Sequence, residues 1–197
     1  IISITRDGGL YLWDAITGTR LREQNFVGNP TELGLSPDGR TIFFGELGHL
    51  RAWSIDPWQA AYGLSFYQSG KQNVSTLAVS AQGGFGVYGT EQAYLVVWDL
   101  PSTGEIRRFG NSDARITFAA VSPDNRYLML GTPDGVVIMQ DRVTGEEIRR
   151  FSGAEGWIWR IVFSPDGEQM LVASADWYGG SGRGSFRLWE VATGAQL

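Results

Sequence analysis

The fold class that the sequence predicts is all-β, built from repeated four-stranded antiparallel sheets, and three series of short motifs predict it. A Ser-Pro-Asp-Gly turn or a variant of it begins at Ser36, Ser80, Ser122 and Ser164, so it recurs at spacings of 44, 42 and 42 residues. A strand that ends on a large residue and then a polar one follows each turn, and a Thr-Gly pair follows most of these strands. Three landmarks in one order at one period indicate an internal repeat.

The segments between the landmarks have the composition of strands. Val, Ile, Phe, Tyr and Trp are enriched, and apolar residues alternate with others, as at Leu33 and Leu35 or at Ile161 and Phe163. Each repeat therefore contains four predicted strands: a before the turn, b after it, c ending at the large residue, and d after Thr-Gly. One such sheet cannot bury both of its faces, so the sheets stack around an axis and the predicted architecture is a β-propeller.

The repeats divide residues 1–197 into predicted blades. Residues 1–26 supply only strands b, c and d. Four further blades are predicted at 31–68, 74–109, 115–151 and 157–197. The count is about four and three-quarter blades, fewer than a closed ring usually holds. We therefore expect a fragment of a longer chain, with the remaining strands or blades supplied by other sequence or by a partner.

The order of motifs, SPDG, then L-W-D or L-W-E, then TG, resembles the WD-repeat family along the whole chain. The resemblance implies one propeller blade per repeat and places two sets of residues in structural positions. These are the strand c residues Trp13, Trp53, Trp98, Met139 and Trp189 and the b–c turn residues Asp7, Asp134 and Asp176. The Gly-His pair of the family is missing, because the single histidine, His49, begins a strand c. Tryptophan packing is expected to replace the hydrogen-bonded network that this pair supports.

Composition argues against several classes of function. The formal charge of −5 and the pI near 4.9 disfavour nucleic-acid binding, which needs many cationic side chains. The absence of cysteine excludes disulfides, thiolate catalysis and cysteine metal sites. No apolar run approaches the roughly 18 residues of a membrane span. The chain does not begin with Met, so its sequence does not test for a signal peptide. We leave the compartment open and prefer the cytoplasm.

Residues that could carry catalysis are few. His49 has no second histidine and no motif that pairs it with a nucleophile. Asp7, Asp134 and Asp176 sit in tight turns, where an aspartate side chain accepts hydrogen bonds from nearby groups. The Gly-rich segment 179–184 has no helix after it, so it reads as a surface loop more than as a phosphate cradle. We predict no enzyme, no cofactor and no metal site.

Aromatic residues outside the strand c position predict a surface for a protein partner. Trp157 and Trp159 precede the last turn motif, and Trp177 and Tyr178 fall in the following b–c loop. In a propeller these two loops reach one common face, so the four side chains are expected to meet there. Arg160 and Arg183 join them in the predicted binding set, since Trp, Tyr and Arg dominate interface hot spots. The competing interpretation is packing at a widened seam between blades.

Two other groups are weaker candidates for contacts. The aromatic group Trp58, Tyr62, Phe66 and Tyr67 interrupts the blade that lacks Thr-Gly, and is expected on the opposite face or the rim. Four arginines lie on predicted outermost strands: Arg107, Arg108, Arg149 and Arg150. Charge on an edge strand opposes aggregation, and an acidic partner on the rim is the alternative.

The leading hypothesis for function is a non-catalytic scaffold, or a subunit of a larger assembly, that presents propeller loops to a protein. The first alternative is a cofactor-binding or enzymatic propeller of the quinoprotein or lactonase kind. The strands that would line its channel carry only Glu32 and Arg160 as charged groups. The second alternative is a sensing module attached to a catalytic domain outside these residues.

Overall fold

A computed structural model describes most of the chain, and every regular element in the described part is a β-strand. The described residues are 1–5, 7–26, 31–46, 49–61, 66–67, 74–90, 94–102, 104–109, 115–176 and 184–197. Contacts within the chain group into two units, Ile1–Val74 and Ser75–Leu197.

Among the described residues the strands form five antiparallel sheets. The first sheet contains β1 (Ile2–Ile4), β2 (Gly9–Trp13) and β3 (Arg20–Asn25). The second contains β4 (Thr31–Leu35), β5 (Thr41–Glu46), β6 (His49–Ser54), β7 (Gln59–Ala60) and β8 (Phe66–Tyr67). The third contains β9 (Val74–Val79), β10 (Phe85–Thr90), β11 (Leu95–Asp99) and β12 (Glu105–Phe109). The fourth contains β13 (Phe118–Val121), β14 (Tyr127–Gly131), β15 (Val137–Asp141) and β16 (Glu147–Phe151). The fifth contains β17 (Trp157–Phe163), β18 (Gln169–Ala175) and β19 (Gly184–Glu190).

Within each sheet the strands follow one another as a meander, which confirms the predicted fold class. The third and fourth sheets have the expected four strands a to d, and the first sheet has b, c and d. In the second sheet β7 and β8 both pair with β6, so strand d is divided in two. In the fifth sheet three strands are followed by a single bridge between Trp189 and Gln196. The blade boundaries themselves stay a prediction.

Three of the four turn motifs, at Ser36, Ser122 and Ser164, share a hydrogen bond from the serine hydroxyl to the aspartate two residues later. In the last copy, the Ser164 hydroxyl donates to the Asp166 carboxylate at 2.5 Å and accepts from the backbone N–H of Gln169 at 2.9 Å. Gly167 completes the turn with a φ of 76°, a region that favours glycine, and Asn125 adopts a φ of 62° at the equivalent place. The same serine-to-aspartate bond recurs at Ser36 and Ser122, which accounts for an aspartate two residues after the serine in these turns.

The core of the first unit lies between the first two sheets. Leu10, Ile42 and Phe44 are fully buried there. The core of the second unit has two layers, one between the third and fourth sheets and one between the fourth and fifth. Val87 and Leu128 belong to the former layer. The latter layer is made of Met129, Val137, Met139, Phe151, Ile158, Ile161, Met170, Val172 and Trp189. Both faces of a central strand are buried, and alternate residues face different layers: in β14, Leu128 and Leu130 belong to one layer and Met129 to the other.

Strand pairing corrects one residue of the repeat. The sequence comparison put Met139 in the position of the strand c tryptophans, but the register puts Gln140 there. Trp98 pairs with Gly86, six residues after Ser80, and Gln140 pairs with Leu128, six residues after Ser122. The polar residue that ends strand c is therefore Asp141, and the Gln140 amide donates to the Gly145 carbonyl at 2.6 Å. The fourth repeat has no tryptophan in strand c, so its sequence alone does not show which residue occupies the tryptophan position.

Candidate protein-binding surface

Trp157 and Trp159 lie together at the start of β17. Ile158 pairs with Ser174 and Arg160 with Ala173, so Trp159 is the extra residue of a β-bulge. The two indole rings have centroids 6.4 Å apart with an interplanar angle of 32°. Trp159 is 45% exposed although it stands in a strand. We call Trp157, Trp159 and Arg160 the tryptophan surface.

Two guanidinium groups lie against rings at this surface. The Arg115 guanidinium carbon is 5.1 Å from the centroid of Trp157, and that of Arg160 is 5.4 Å from the centroid of Phe118. Distances of this size are typical of cation–π contacts, which hold a flexible arginine in place while its N–H groups stay at the surface. Arg115 and Arg160 are both exposed, so the surface combines aromatic area with hydrogen-bond donors.

The position of Trp159 has a different role in the two preceding sheets. Five residues before the turn serine, those sheets carry Ser75 and Thr117. The Ser75 hydroxyl donates to the Ile116 carbonyl at 3.0 Å, and the Thr117 hydroxyl donates to the Ile158 carbonyl at 2.8 Å. Each hydroxyl thus joins its sheet to the next one. Sequence reasoning missed this device, although a hydroxyl residue at a fixed offset from the turn is its signal.

The remaining members of the predicted binding set are not placed. Trp177, Tyr178 and Arg183 lie outside the described residues, so their approach to Trp157 and Trp159 stays a prediction. Asp176, just before them, is half-buried and has an interaction partner.

In the second aromatic group, which is Trp58, Tyr62, Phe66 and Tyr67, the structure describes the side chain of Trp58 alone, and this ring packs inside the first unit. The Trp58 ring packs edge-on against Trp53 at 5.9 Å, and its indole N–H donates to the Glu23 carbonyl at 3.2 Å. Trp58 therefore helps to join the two sheets of the first unit. Tyr62 and the side chains of Phe66 and Tyr67 lie outside the description.

The strand c tryptophans differ in how they are buried. Trp98 is fully buried and Trp189 nearly so, whereas Trp13 and Trp53 are half-buried. The indole N–H of Trp13 donates to the Ser3 hydroxyl at 2.8 Å.

The turn aspartates are engaged in local hydrogen bonds. Asp134 accepts a bond from the Thr132 hydroxyl. A bond from the Thr5 hydroxyl lowers the pKa of Asp7. Among the described residues, no group of three or more His, Cys, Asp or Glu side chains could hold a metal ion. His49 begins β6, but its side chain lies outside the description, as does most of the segment 179–184.

Two of the four outer-strand arginines, Arg108 and Arg150, form ion pairs within their own strands. Arg108 forms an ion pair with Glu105 at 2.7 Å, and Arg150 forms one with Glu147 at 2.7 Å. Arg149 instead donates to the backbone carbonyls of Ala192 and Thr193 in the last turn of the chain. It therefore joins the fourth sheet to the fifth.

Comparison with known families finds a match for one repeat of the chain. The model of the family described as "WD domain, G-beta repeat" matches residues 145–190, from the d strand of the fourth sheet through strand c of the fifth. The match covers one repeat period, and the five antiparallel sheets have the strand order that this family builds. The matched repeat and the antiparallel sheets of the described residues fit a WD-repeat β-propeller. No curated protein matched the chain. Among the described residues there is no helix with the length and apolar character that a membrane crossing requires.

Proposed function

We propose that this WD-repeat chain is a non-catalytic scaffold that binds a protein partner through the tryptophan surface. The observation that carries the proposal is the grouping of the Trp157 and Trp159 rings, 6.4 Å apart, with the exposed arginines Arg115 and Arg160, whose guanidinium groups lie against the rings of Trp157 and Phe118. WD-repeat domains generally mediate protein–protein interaction, which supports the same conclusion.

The chemistry of the surface supports a protein ligand. Large indole rings bury much area at a small cost in side-chain entropy, and arginine provides several directed donors, so these residues contribute most to many interfaces. The contact between Trp157 and Trp159 limits the freedom of both rings before any partner arrives. Pre-ordered side chains lower the entropic cost of binding.

The test is substitution at the surface with a matched control on the same sheet. Trp159→Ala is expected to weaken partner binding by at least about tenfold, because hot-spot residues typically cost 2 kcal/mol or more when truncated. Phe186→Ala removes a ring that is 76% exposed on β19 and is expected to leave binding unchanged. Partners captured by the unaltered chain would be identified first, and their dissociation constants then measured for each variant.

Two results would contradict the proposal. One is unchanged affinity of Trp159→Ala with native near-ultraviolet circular dichroism. The other is equal loss in Phe186→Ala, which would point to general stickiness of exposed rings. Trp177→Ala tests whether the b–c loop shares the surface, since an unaltered affinity there would confine binding to β17.

A further inference from the structure

A cleft of about 570 Å³ lies between the fourth and fifth sheets, away from the tryptophan surface. One wall consists of Tyr127, Met139 and Ile148 of the fourth sheet. The other wall consists of two turns of the fifth sheet, residues 166–168 and 190–192. The cleft therefore has an apolar floor and backbone turns at its rim.

The molecule shows what fills the same place one repeat earlier, between the third and fourth sheets. There the guanidinium carbon of Arg142 lies 4.5 Å from the ring centroid of Phe85. The Nε of Arg142 donates to the carbonyl of Asn125 at 2.9 Å. An arginine side chain thus fits between an aromatic ring of one sheet and the turn of the next.

Backbone pairing proves that Val191 is the counterpart of Arg142. The N–H of Arg142 donates to the Arg126 carbonyl at 3.0 Å, and that of Val191 donates to the Glu168 carbonyl at 2.9 Å. Each residue directly follows the acid that ends strand c. Phe85 and Tyr127 correspond in the same way, since each begins strand b five residues after the turn serine. A valine side chain is too short to span the distance that the arginine covers.

The residue that follows the Ser-Pro-Asp turn also changes its charge between the fourth and fifth sheets. Arg126 stands where the fifth sheet has Glu168, and the cleft walls carry two more carboxylates, Asp166 and Glu190. The one cation of the walls, Arg149, is bonded to the Ala192 and Thr193 carbonyls. The ring of Tyr127 accepts a guanidinium already, since the guanidinium carbon of Arg126 lies 4.9 Å from its centroid.

We propose that this cleft binds an arginine side chain from a partner protein. Its guanidinium group stacks against Tyr127 and donates to the Gly167 carbonyl and the Glu168 carboxylate, as Arg142 does with Phe85 and Asn125. Arginine fits better than lysine because its planar group both stacks on a ring and donates in several directions. The ligand class does not depend on the tryptophan surface, so either proposal can fail alone.

The test is a titration of the methyl-labelled chain with the peptide acetyl-Gly-Arg-Gly-amide, followed by NMR. Saturable shifts are expected at the methyl groups of Ile148 and Val191. The citrulline peptide, which has the same shape without the charge, is expected to bind at least about tenfold more weakly. Glu168→Lys should weaken the arginine peptide by a similar factor. Glu23→Lys, an equal charge change on the first sheet, should not.

Exchanging the two counterpart residues tests the geometry. Val191→Arg is expected to fill the cleft from within and abolish peptide binding. Arg142→Val alone is expected to create no second site beside Phe85, because Arg126 stands there in the position of Glu168. The proposal is overturned if no shift saturates, if citrulline binds equally, or if binding survives in Glu168→Lys or in a folded Val191→Arg variant. If Val191→Arg does not fold, the proposal is tested by the affinity of Glu168→Lys for the arginine peptide and by the affinity of the unaltered chain for the citrulline peptide.

Discussion

At the scale of single residues, the close approach of a tryptophan ring to the neighbouring strand limits which side chain that strand can carry. Gly86 faces the ring of Trp98, and a Cβ added at Gly86 would lie 2.3 Å from ring atoms of that indole. Trp98 is fully buried, so the ring has no space to retreat. The third sheet thus accommodates its largest core side chain by giving up a side chain on the neighbouring strand.

We expect Gly86→Ala to destabilise the protein by about 1 to 3 kcal/mol, the usual cost of inserting a group into a filled core. Urea denaturation would measure it. Gly84→Ala is the matched control, because a Cβ there meets nothing within 4 Å. Equal stability of the two variants would show that Trp98 can shift.

A second residue-scale device is the aspartate after strand c. The Asp141 carboxylate accepts from the N–H groups of Val143 at 2.8 Å and Thr144 at 2.9 Å, and Asp14 accepts from Ile16 and Thr17 in the same manner. The hydrogen bond from the backbone N–H three residues later is the main cause of the lowered pKa. This donor is Thr17 for Asp14 and Thr144 for Asp141. Both groups are at the surface, so their effect is local.

These lowered pKa values predict the direction of acid denaturation. A carboxyl whose pKa falls on folding stabilises the native state above its unfolded pKa of about 4, and that stability is lost as the pH drops through the folded value. The urea midpoint is expected to stay level between about pH 7 and 5 and to fall below about pH 4. Asp141→Asn keeps an acceptor and removes the charge, so it should flatten the decline. A decline as steep as that of the unaltered chain would show that Asp141 contributes nothing.

At the scale of elements, strands are joined between sheets by groups one repeat apart. The Thr117 hydroxyl before β13 reaches the Ile158 carbonyl in β17, and Ala119 in β13 donates its N–H to the Thr76 hydroxyl in β9 at 2.8 Å. Arg149 adds a third contact from β16 to the final turn. Neighbouring sheets in the second unit are therefore joined by directed bonds as well as by apolar packing.

Thr117→Val preserves the shape of the side chain and removes its donor. We expect a loss of about 1 kcal/mol, since the Ile158 carbonyl is left with one partner fewer in a partly buried place. Thr144→Val, at an exposed turn, should change stability by less than about 0.5 kcal/mol. Chemical denaturation would measure the free energy of unfolding of both variants. Equal values would mean that water replaces the Thr117 hydroxyl at the Ile158 carbonyl.

At the scale of the whole molecule, burial is concentrated in the central strands. All six residues of β10 are buried, as are four of the five in β14. The outer strands β3 and β12 are mostly exposed and carry the charged residues. Stability is therefore graded from the middle of each sheet to its outer edge.

Hydrogen exchange should reproduce this gradient. Amides of β10 and β14 are expected to exchange slowest, and those of β3 and β12 fastest among the strands, because outer strands have one unpaired side and little apolar cover. Mass spectrometry of peptides after timed exposure to deuterium would show it. Uniform protection across all strands of a sheet would indicate that each sheet opens only as a whole.

Much of the fold was predictable from the residues because it depends on short-range chemistry. The turn motif, the alternation within strands and the charged outer strands each involve fewer than about ten residues. Trp157 and Trp159 were found as candidates because they fall outside the tryptophan positions of the repeat. Their closeness to Trp177 and Tyr178 stays a prediction.

The sequence by itself determined the all-β class, the period of the repeat and the resemblance to the WD-repeat family, since these follow from local turn and strand signals repeated in order. Only the tertiary structure decided that Gln140 holds the tryptophan position, that Trp159 stands in a bulge, and that Arg142 fills a seam that Val191 leaves as a cleft. The physical reason is distance along the chain. Register joins residues of different strands, such as Leu128 and Gln140, and seam contacts join residues of different repeats, such as Phe85 and Arg142. No local pattern specifies which partner a side chain will meet.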